Sequence, residues 1–176
     1  MWGEVQLANI ISEILTKEQY DENVVTKKGS SDRVEFAVKL PGKDDFNRCV
    51  YLPIDAKFPQ EDYQRLLDAQ EEGNKEGVES ARKQLENRIK QEAKNIYEKY
   101  IDPPNTTDFA IMFLPTESLF AEVIRNVGLI ETLQREYKVI ITGPTTISAL
   151  LNSLQMGFRT LAIEKGQVKF GHYLGL

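Results

Sequence analysis

Cysteine and histidine are nearly absent from this 176-residue chain: Cys49 and His172 each stand alone. A single cysteine can form no internal disulfide and no cysteine-rich zinc site, which fits a protein of the reducing cytoplasm. With one histidine besides, Ser-His-Asp triads, histidine-based zinc sites and Cys-His pairs are disfavoured, so chemistry must come from carboxylates, lysines and a metal ion. No apolar run approaches the ~20 residues that cross a bilayer, and no signal peptide, internal repeat or low-complexity segment stands out. Positive charge is in deficit too: 22 Lys and Arg face 27 Asp and Glu, for a net charge of -5. The chain as a whole therefore does not advertise nucleic-acid binding, although a local basic surface remains open. What is abundant, 41% hydrophobic and 28% charged residues, suits one globular domain with a sizeable core.

The pattern along the chain predicts an α/β fold. Leu7, Ile10, Ile11 and Ile14 repeat at helical spacing from almost the first residue. Tyr20 to Asp32 is polar, carries Gly29-Ser30-Ser31 and reads as a loop. Alternating apolar residues then predict strands over Val34–Leu40 and Cys49–Lys57, ended by Pro41-Gly42 and Pro59. From Gln60 to Tyr100 the composition favours helix, divided near Gly73 and Gly77. Its second part carries the stripe Val78, Ala81, Leu85, Ile89, Ala93, Ile96, Tyr100, long enough for an arm projecting from the body. Phe109–Leu114 is continuously apolar, as in a strand buried on both faces. Helices follow over Glu117–Asn126 and Ile130–Tyr137, a strand over Val139–Thr142, a helix from Pro144 to about Met156 and a last strand over Thr160–Ile163. The sum is one domain, 1–176, with a central mixed sheet flanked by helices and a helical insertion at about 60–101.

Acid-x-Lys occurs three times, as Asp55-Ala56-Lys57, Glu92-Ala93-Lys94 and Glu136-Tyr137-Lys138. On a helix, residues two apart point in different directions, so Glu92 and Lys94 do not converge, and Glu136 and Lys138 straddle a helix-strand junction. Only Asp55 and Lys57 fall on a predicted strand, where period two puts both on one face, opposite Ile54 and Ala56 and away from the core. Glu35 lies on the corresponding face of the preceding strand, and pairing of the two strands brings Glu35 to Asp55. Adjacent carboxylates repel unless a cation sits between them. Mg2+ takes oxygen ligands, here two carboxylates and the Ala56 backbone carbonyl, while a nearby lysine orients water or stabilises charge on a phosphate. An acid on one strand and Asp-x-Lys on the next is thus a constellation for metal-assisted phosphodiester hydrolysis; the alternative is a set of solvated charges with an ordinary salt bridge. Glu4 borders the apolar stripe of the first helix and is a fourth candidate, as an inward-pointing ligand or as a first-turn acid favoured by the helix dipole.

A wider resemblance then emerges. Trp2-Gly3-Glu4, Arg33-Val34-Glu35, Val38 to Gly42 (VKLPG) and Ile54 to Pro59 (IDAKFP) with Tyr63 resemble the RmuC family of DNA recombination proteins. The likeness continues through Tyr100-Ile101, Thr107 to Pro115 (TDFAIMFLP) with Glu117, and Gly143-Pro144-Thr145-Thr146 with Ala149-Leu150-Leu151. It implies a PD-(D/E)xK restriction-endonuclease-like core with Glu35, Asp55 and Lys57 as motif residues, Glu4 as the helix acid, and Mg2+ or Mn2+ as cofactor. It also implies a cytoplasmic bacterial nuclease acting on DNA. Arg33-Val34-Glu35 departs from the Arg-Pro-Asp common in the family; glutamate is one methylene longer and remains a competent ligand. Members carry a long N-terminal helical region, sometimes with a membrane anchor. This chain therefore reads as an excised core, without membrane contact of its own and with coiled-coil self-association resting on regions partly outside it. The tail from Gly166 to Leu176 matches nothing expected of the family, and His172 within it reads as incidental.

Three further features bear on DNA. Lys83, Lys90 and Lys94 share one face of the long helix, either as phosphate contacts or as a solvated face, the reading preferred for ordinary charge runs. From Lys27 to Lys57 basic residues exceed acidic ones by two, modest support for a polyanionic substrate. Gly143-Pro144-Thr145-Thr146 opens a helix and offers an anion site, but lacks a P-loop lysine, and proline at the first helical position accounts for it. Against the nuclease stands a non-catalytic DNA- or partner-binding module that keeps the fold and works through its long helices; a structural segment of a larger helical assembly is a third reading.

Overall fold

The computed structural model describes residues 2–42 and 49–173, with the backbone alone from 162 onward. The elements are α1 (Trp2–Ile14), a 3-10 turn (Lys17–Gln19), β1 (Tyr20–Val24), β2 (Val34–Pro41), β3 (Cys49–Ala56), α2 (Gln60–Glu71) and α3 (Lys75–Tyr100). They continue as β4 (Ala110–Phe113), α4 (Glu117–Ile124), α5 (Val127–Tyr137), β5 (Val139–Thr142) and α6 (Pro144–Tyr173). One sheet holds the five strands in sequence order. β1, β2 and β3 pair antiparallel, whereas β3 to β4 and β4 to β5 are parallel. The expected mixed sheet is therefore present, and β3 is the strand at which its two halves meet.

Parallel neighbours require a crossover. Both crossovers, α2–α3 and α4–α5, cover the same face, where Leu66, Leu85, Ile89, Leu119 and Leu133 pack on Ala110, Met112 and Ile141. The opposite face belongs to α1 and α6: Leu7, Ile11, Ile147 and Leu151 pack on Phe36, Val38, Leu52, Ile54, Ile111 and Phe113. β4 is buried along its whole length, with alternate residues in the two layers, as its continuous apolar run predicts. Polar side chains set the helix starts. Asn74, Thr116 and Asn126 accept hydrogen bonds from the backbone N–H of Gly77, Leu119 and Leu129. Gly73, at φ +68°, makes the turn between α2 and α3. Gly77 is not part of that break; it lies in the first turn of α3.

Three expectations are corrected. Tyr20–Val24 is a strand rather than loop; as an edge strand it buries only Tyr20, whose ring packs 6.4 Å from Phe36, and shows polar residues to solvent. Thr160–Ile163 continues α6, because Ile147, Leu151, Leu154, Phe158 and Leu161 extend one helical stripe. The long helix is not a projecting arm: Ala81, Leu85, Ile89, Ala93, Ile96 and Tyr100 are all buried, and α3 lies across the sheet. Lys43, Asp44, Asp45 and Arg48 of the basic stretch fall outside the described residues, as does the side chain of His172.

Because Leu85 and Ile89 belong to the main core, Leu85→Ala and Ile89→Ala should each destabilise the protein by about 2–5 kcal/mol. Denaturant unfolding measures this. A loss below 1 kcal/mol for both would return α3 to the role of a free arm.

Candidate active site

Phe36 stands opposite Ile54 in the β2–β3 ladder, so one step further along Glu35 comes opposite Asp55. Period two sends Ile54 and Ala56 toward α1 and α6 and Asp55 toward α3. That side is not solvent. α3 covers it, and Asp55 is 3% exposed; the expectation that Asp55 faces away from the core is overturned because helices pack on both faces of this sheet. Lys57 follows β3 directly and is fixed by its own backbone N–H, which donates to the Phe113 carbonyl at 2.9 Å. Its Nζ lies 3.1 Å from Asp55 Oδ2 and 3.3 Å from Glu92 Oε2 on α3, with the lysine side chain 31% exposed. The four groups thus stand at the carboxyl end of β3, with Lys57 and Glu92 toward the mouth.

The electrostatics mark the site as short of positive charge. Glu35 Oε2 and Asp55 Oδ2 are buried and accept no hydrogen bond among the described residues; the Lys57 contact to Asp55 is an ion pair outside hydrogen-bond geometry. Burial, and after it the charge of Asp55, a hydrogen bond shared with Asp55 and the charge of Glu4, push the Glu35 carboxyl up to about 9, against the favourable backbone N–H of Ala56. Glu35 therefore holds a proton at neutral pH when no cation is bound. Burial works against the Lys57 ammonium, but Asp55 and Glu92 outweigh it and hold the lysine above its usual value. Tyr100, at the end of α3, has its phenol pushed up to about 12, first by burial and then by the charge of Asp55.

The structure brings Glu35, Asp55 and Lys57 together. Glu4 is different: it is exposed on α1, not inward, although its charge reaches Glu35. α1 packs on the sheet face through Leu7 and Ile11, and at Gly3 a Cβ would come within 2.7 Å of Pro115 Cγ, so its first turn lies close against the segment after β4. Ala56 turns its methyl to the α1 side. Lys83, Lys90 and Lys94 are exposed, but Lys90 and Lys94 each lie two residues from Glu92, about 200° round the helix, and so point away from the edge that meets Lys57. The start of α6 is no open anion site, because Glu117 Oε1 already accepts from the Thr145 N–H at 2.6 Å. Glu92 and Tyr100 are the residues that motif reading missed. Each adjoins or ends the buried stripe of α3, and that edge position was the available signal.

Among the described residues no three acid, histidine or cysteine side chains converge as a ready metal cage. The pair Glu35–Asp55 nonetheless fits a hard divalent cation: once the proton that Glu35 shares with Asp55 is gone, two buried carboxylate oxygens are left without a donor, of the kind such ions take.

The raised Glu35 value has a consequence for stability. The native state keeps a proton that the unfolded chain releases above the ordinary glutamate value of 4.5. The stabilisation it brings is complete below that value and is lost as pH rises toward 9. Glu35→Gln cannot lose this proton. In EDTA its melting temperature should gain on the wild type progressively from about pH 5 to pH 9, the window between the two values. Parallel curves for the two proteins would show that Glu35 is not strained by its neighbours.

The model of the RmuC family matches residues 1–172, and so takes in much of the tail from Gly166 that was expected to lie outside it. The DNA recombination protein RmuC homolog of Xylella fastidiosa (strain Temecula1) is 58% identical over 174 residues, covering 99% of this chain and 38% of the relative. The homolog of Chlamydia trachomatis is 34% identical over 157 residues, 87% of this chain and 33% of the relative. That of Chlamydia pneumoniae is 28% identical over 171 residues, 93% of this chain and 37% of the relative. The chain thus spans little more than a third of the length of these relatives. No solved structure matches it significantly. With a family match along nearly its whole length and a relative 58% identical over 99% of it, the chain belongs to the RmuC family.

Proposed function

We propose that this chain is a metal-dependent deoxyribonuclease domain with a PD-(D/E)xK-type core, hydrolysing phosphodiester bonds of DNA. One observation carries the reading: Glu35 and Asp55 meet on neighbouring strands with buried carboxyl oxygens, beside Lys57 and with no protein donor to satisfy both as carboxylates. A fold under no functional demand has little reason to bury two adjacent acids. The mixed sheet flanked by helices, with the acid on one strand and Asp-x-Lys on the next, supports the fold assignment. The names of the relatives, DNA recombination protein RmuC homologs, support DNA as the substrate.

Glu35 and Asp55 would hold Mg2+ or Mn2+, with Glu4 and the Ala56 carbonyl as further ligands. The bound ion would supply charge neutralisation at the phosphate and a more acidic water. The chain does the rest. As a ligand Glu35 would stand ionised, its proton released to solvent, and the ion's charge would offset the repulsion between the acids. Lys57, kept charged by Asp55 and Glu92, acts as an ammonium that orients water or a phosphate oxygen rather than as a base. α3 and the sheet exclude solvent from Asp55, so these charges act in a low dielectric. A second reading, a DNA-binding module without catalysis, is favoured by Lys57 itself standing as the counter-charge of Asp55 and by the lack of a three-acid cluster among the described residues.

A cleavage assay on linear, circular and single-stranded DNA with Mg2+ or Mn2+ separates the two. Asp55→Asn and Lys57→Ala should lower cleavage by at least about a hundredfold with circular dichroism unchanged; wild-type cleavage by either variant removes the nuclease assignment. Metal binding has an independent readout. Mg2+ or Mn2+ should raise the melting temperature, since a ligand of the native state stabilises it by mass action. Glu35→Ala should abolish that gain and Glu4→Gln reduce it, and an equal metal response in Glu4→Gln and wild type would remove Glu4 from the site.

A further inference from the structure

The N-terminus of α1 carries an exposed aromatic side chain at the mouth of the acid cluster. Trp2 is 56% exposed and Val5, one turn on, 61% exposed. Exposure of so large an apolar ring calls for an explanation, because burial of tryptophan is strongly favoured. The ring is not loose: its centroid lies 5.8 Å from that of Phe58, at 48° between planes. Phe58 is itself partly buried against the core and is the residue after Lys57. A Cβ added at Gly3 would come within 2.7 Å of Pro115 Cγ and 3.8 Å of Ala56 Cβ, so the glycine lets the start of α1 approach the end of β3 closely. Glu4, the next residue, is close enough for its charge to reach Glu35. One rigid ring is therefore supported on one side by Phe58, presented to solvent, and tied through adjacent residues to both Lys57 and the paired acids.

We propose that Trp2, backed by Phe58, is a stacking platform for an unpaired nucleobase of the DNA strand whose phosphate lies at Glu35, Asp55 and Lys57. This rests on the nuclease reading and names its substrate as DNA with single-stranded character, either a free strand or a frayed end. Stacking suits the place. Every base has a π-face, so an aromatic platform holds a strand without reading its sequence, and bases inside a duplex are not free to use it. It also suits a chain of net charge -5, in which phosphate contacts alone supply little of the attraction. Trp2 acts here as a positioning residue: it holds the base, and through it the register of the strand.

Trp2 is the only tryptophan in the chain, so its fluorescence reports the contact directly. The full chain is titrated with oligo(dT), with an abasic oligonucleotide of the same length and with a blunt duplex, all in EDTA, while fluorescence anisotropy of labelled DNA measures binding separately. Oligo(dT) should quench the tryptophan emission and the abasic strand should not. Trp2→Ala should weaken oligo(dT) binding about tenfold with its salt dependence unchanged, since a stacked base releases no counterions. Trp2→Phe should restore most of the affinity, and Trp2→Ala should bind the abasic strand as the wild type does. Binding of oligo(dT) without quenching, or equal affinity in wild type and Trp2→Ala, overturns the platform and leaves the nuclease reading standing. No anisotropy change with any DNA overturns the platform, and the nuclease reading then falls only if the cleavage assay with Mg2+ or Mn2+ also fails. A Trp2→Ala loss that is equal for oligo(dT), abasic strand and duplex assigns Trp2 a structural role and overturns the proposal.

Discussion

The buried charge of Asp55 is the constraint around which the molecule is arranged. An ionised carboxylate between a sheet and a helix is costly unless opposite charge accompanies it. Lys57 supplies that charge from two residues away, but the lysine is itself partly buried and is held in place by Glu92 from α3. The helical hairpin is thereby bound to the end of β3 by charge as well as by the apolar stripe of α3. Glu35 arrives last in this chain of compensation. Buried beside Asp55, with the one nearby ammonium already in contact with Asp55 and Glu92, it keeps its proton. A bound cation would reverse that balance, which is why the proposed function gives this network a divalent ion.

Topology explains why the network sits where it does. β3 pairs antiparallel on one side and parallel on the other, and the two crossovers leave its carboxyl end between α1, α3 and the Leu114-Pro115 turn after β4. In open α/β sheets, ligands gather at the carboxyl ends of parallel strands where the connection pattern changes. Here the antiparallel partner adds what a purely parallel sheet lacks: the amino end of β2 reaches the same place, so Glu35 meets Asp55 directly. Gly3 completes the arrangement. A side chain at that position would meet Pro115, and α1 would have to lift from the end of the sheet, taking Trp2 and Glu4 with it.

How much of this was legible in the sequence depended on whether the information was local. Period-two alternation in β2 and β3 is local, and it placed Glu35, Asp55 and Lys57 on one side of the sheet before any contact was known. What covers that side is not local. Nothing in Asp55-Ala56-Lys57 says that α3 lies across it, so the acids looked solvated and the helix looked like an arm. Glu92 was set aside for a sound reason, since Glu92 and Lys94 do diverge on the helix, yet its partner was Lys57, reached only through the tertiary fold. β1 was hidden by the opposite effect: an edge strand buries little, and Asp21-Glu22-Asn23 has the composition of a turn. The helix-start signals at Asn74, Thr116 and Asn126 were readable because a cap is satisfied within three residues.

The neighbouring positions on the same strands show that the architecture does not itself demand these acids. Ala37 follows Glu35 on the same face of β2 and is fully buried, and across the ladder its partner is Pro53, also buried. The same layer thus accepts small apolar residues one step further into the sheet, at no electrostatic cost. At the Glu35–Asp55 step the pattern breaks: two acids replace the apolar pair, and a lysine and a third acid are brought in to manage them. Sequences that specify a fold keep local preference and global packing in agreement, and they depart from that agreement where function requires it. The departure here is confined to one rung of the sheet, at the carboxyl end of β3. That confinement, more than the identity of any single residue, is what favours the proposed site over an incidental buried charge.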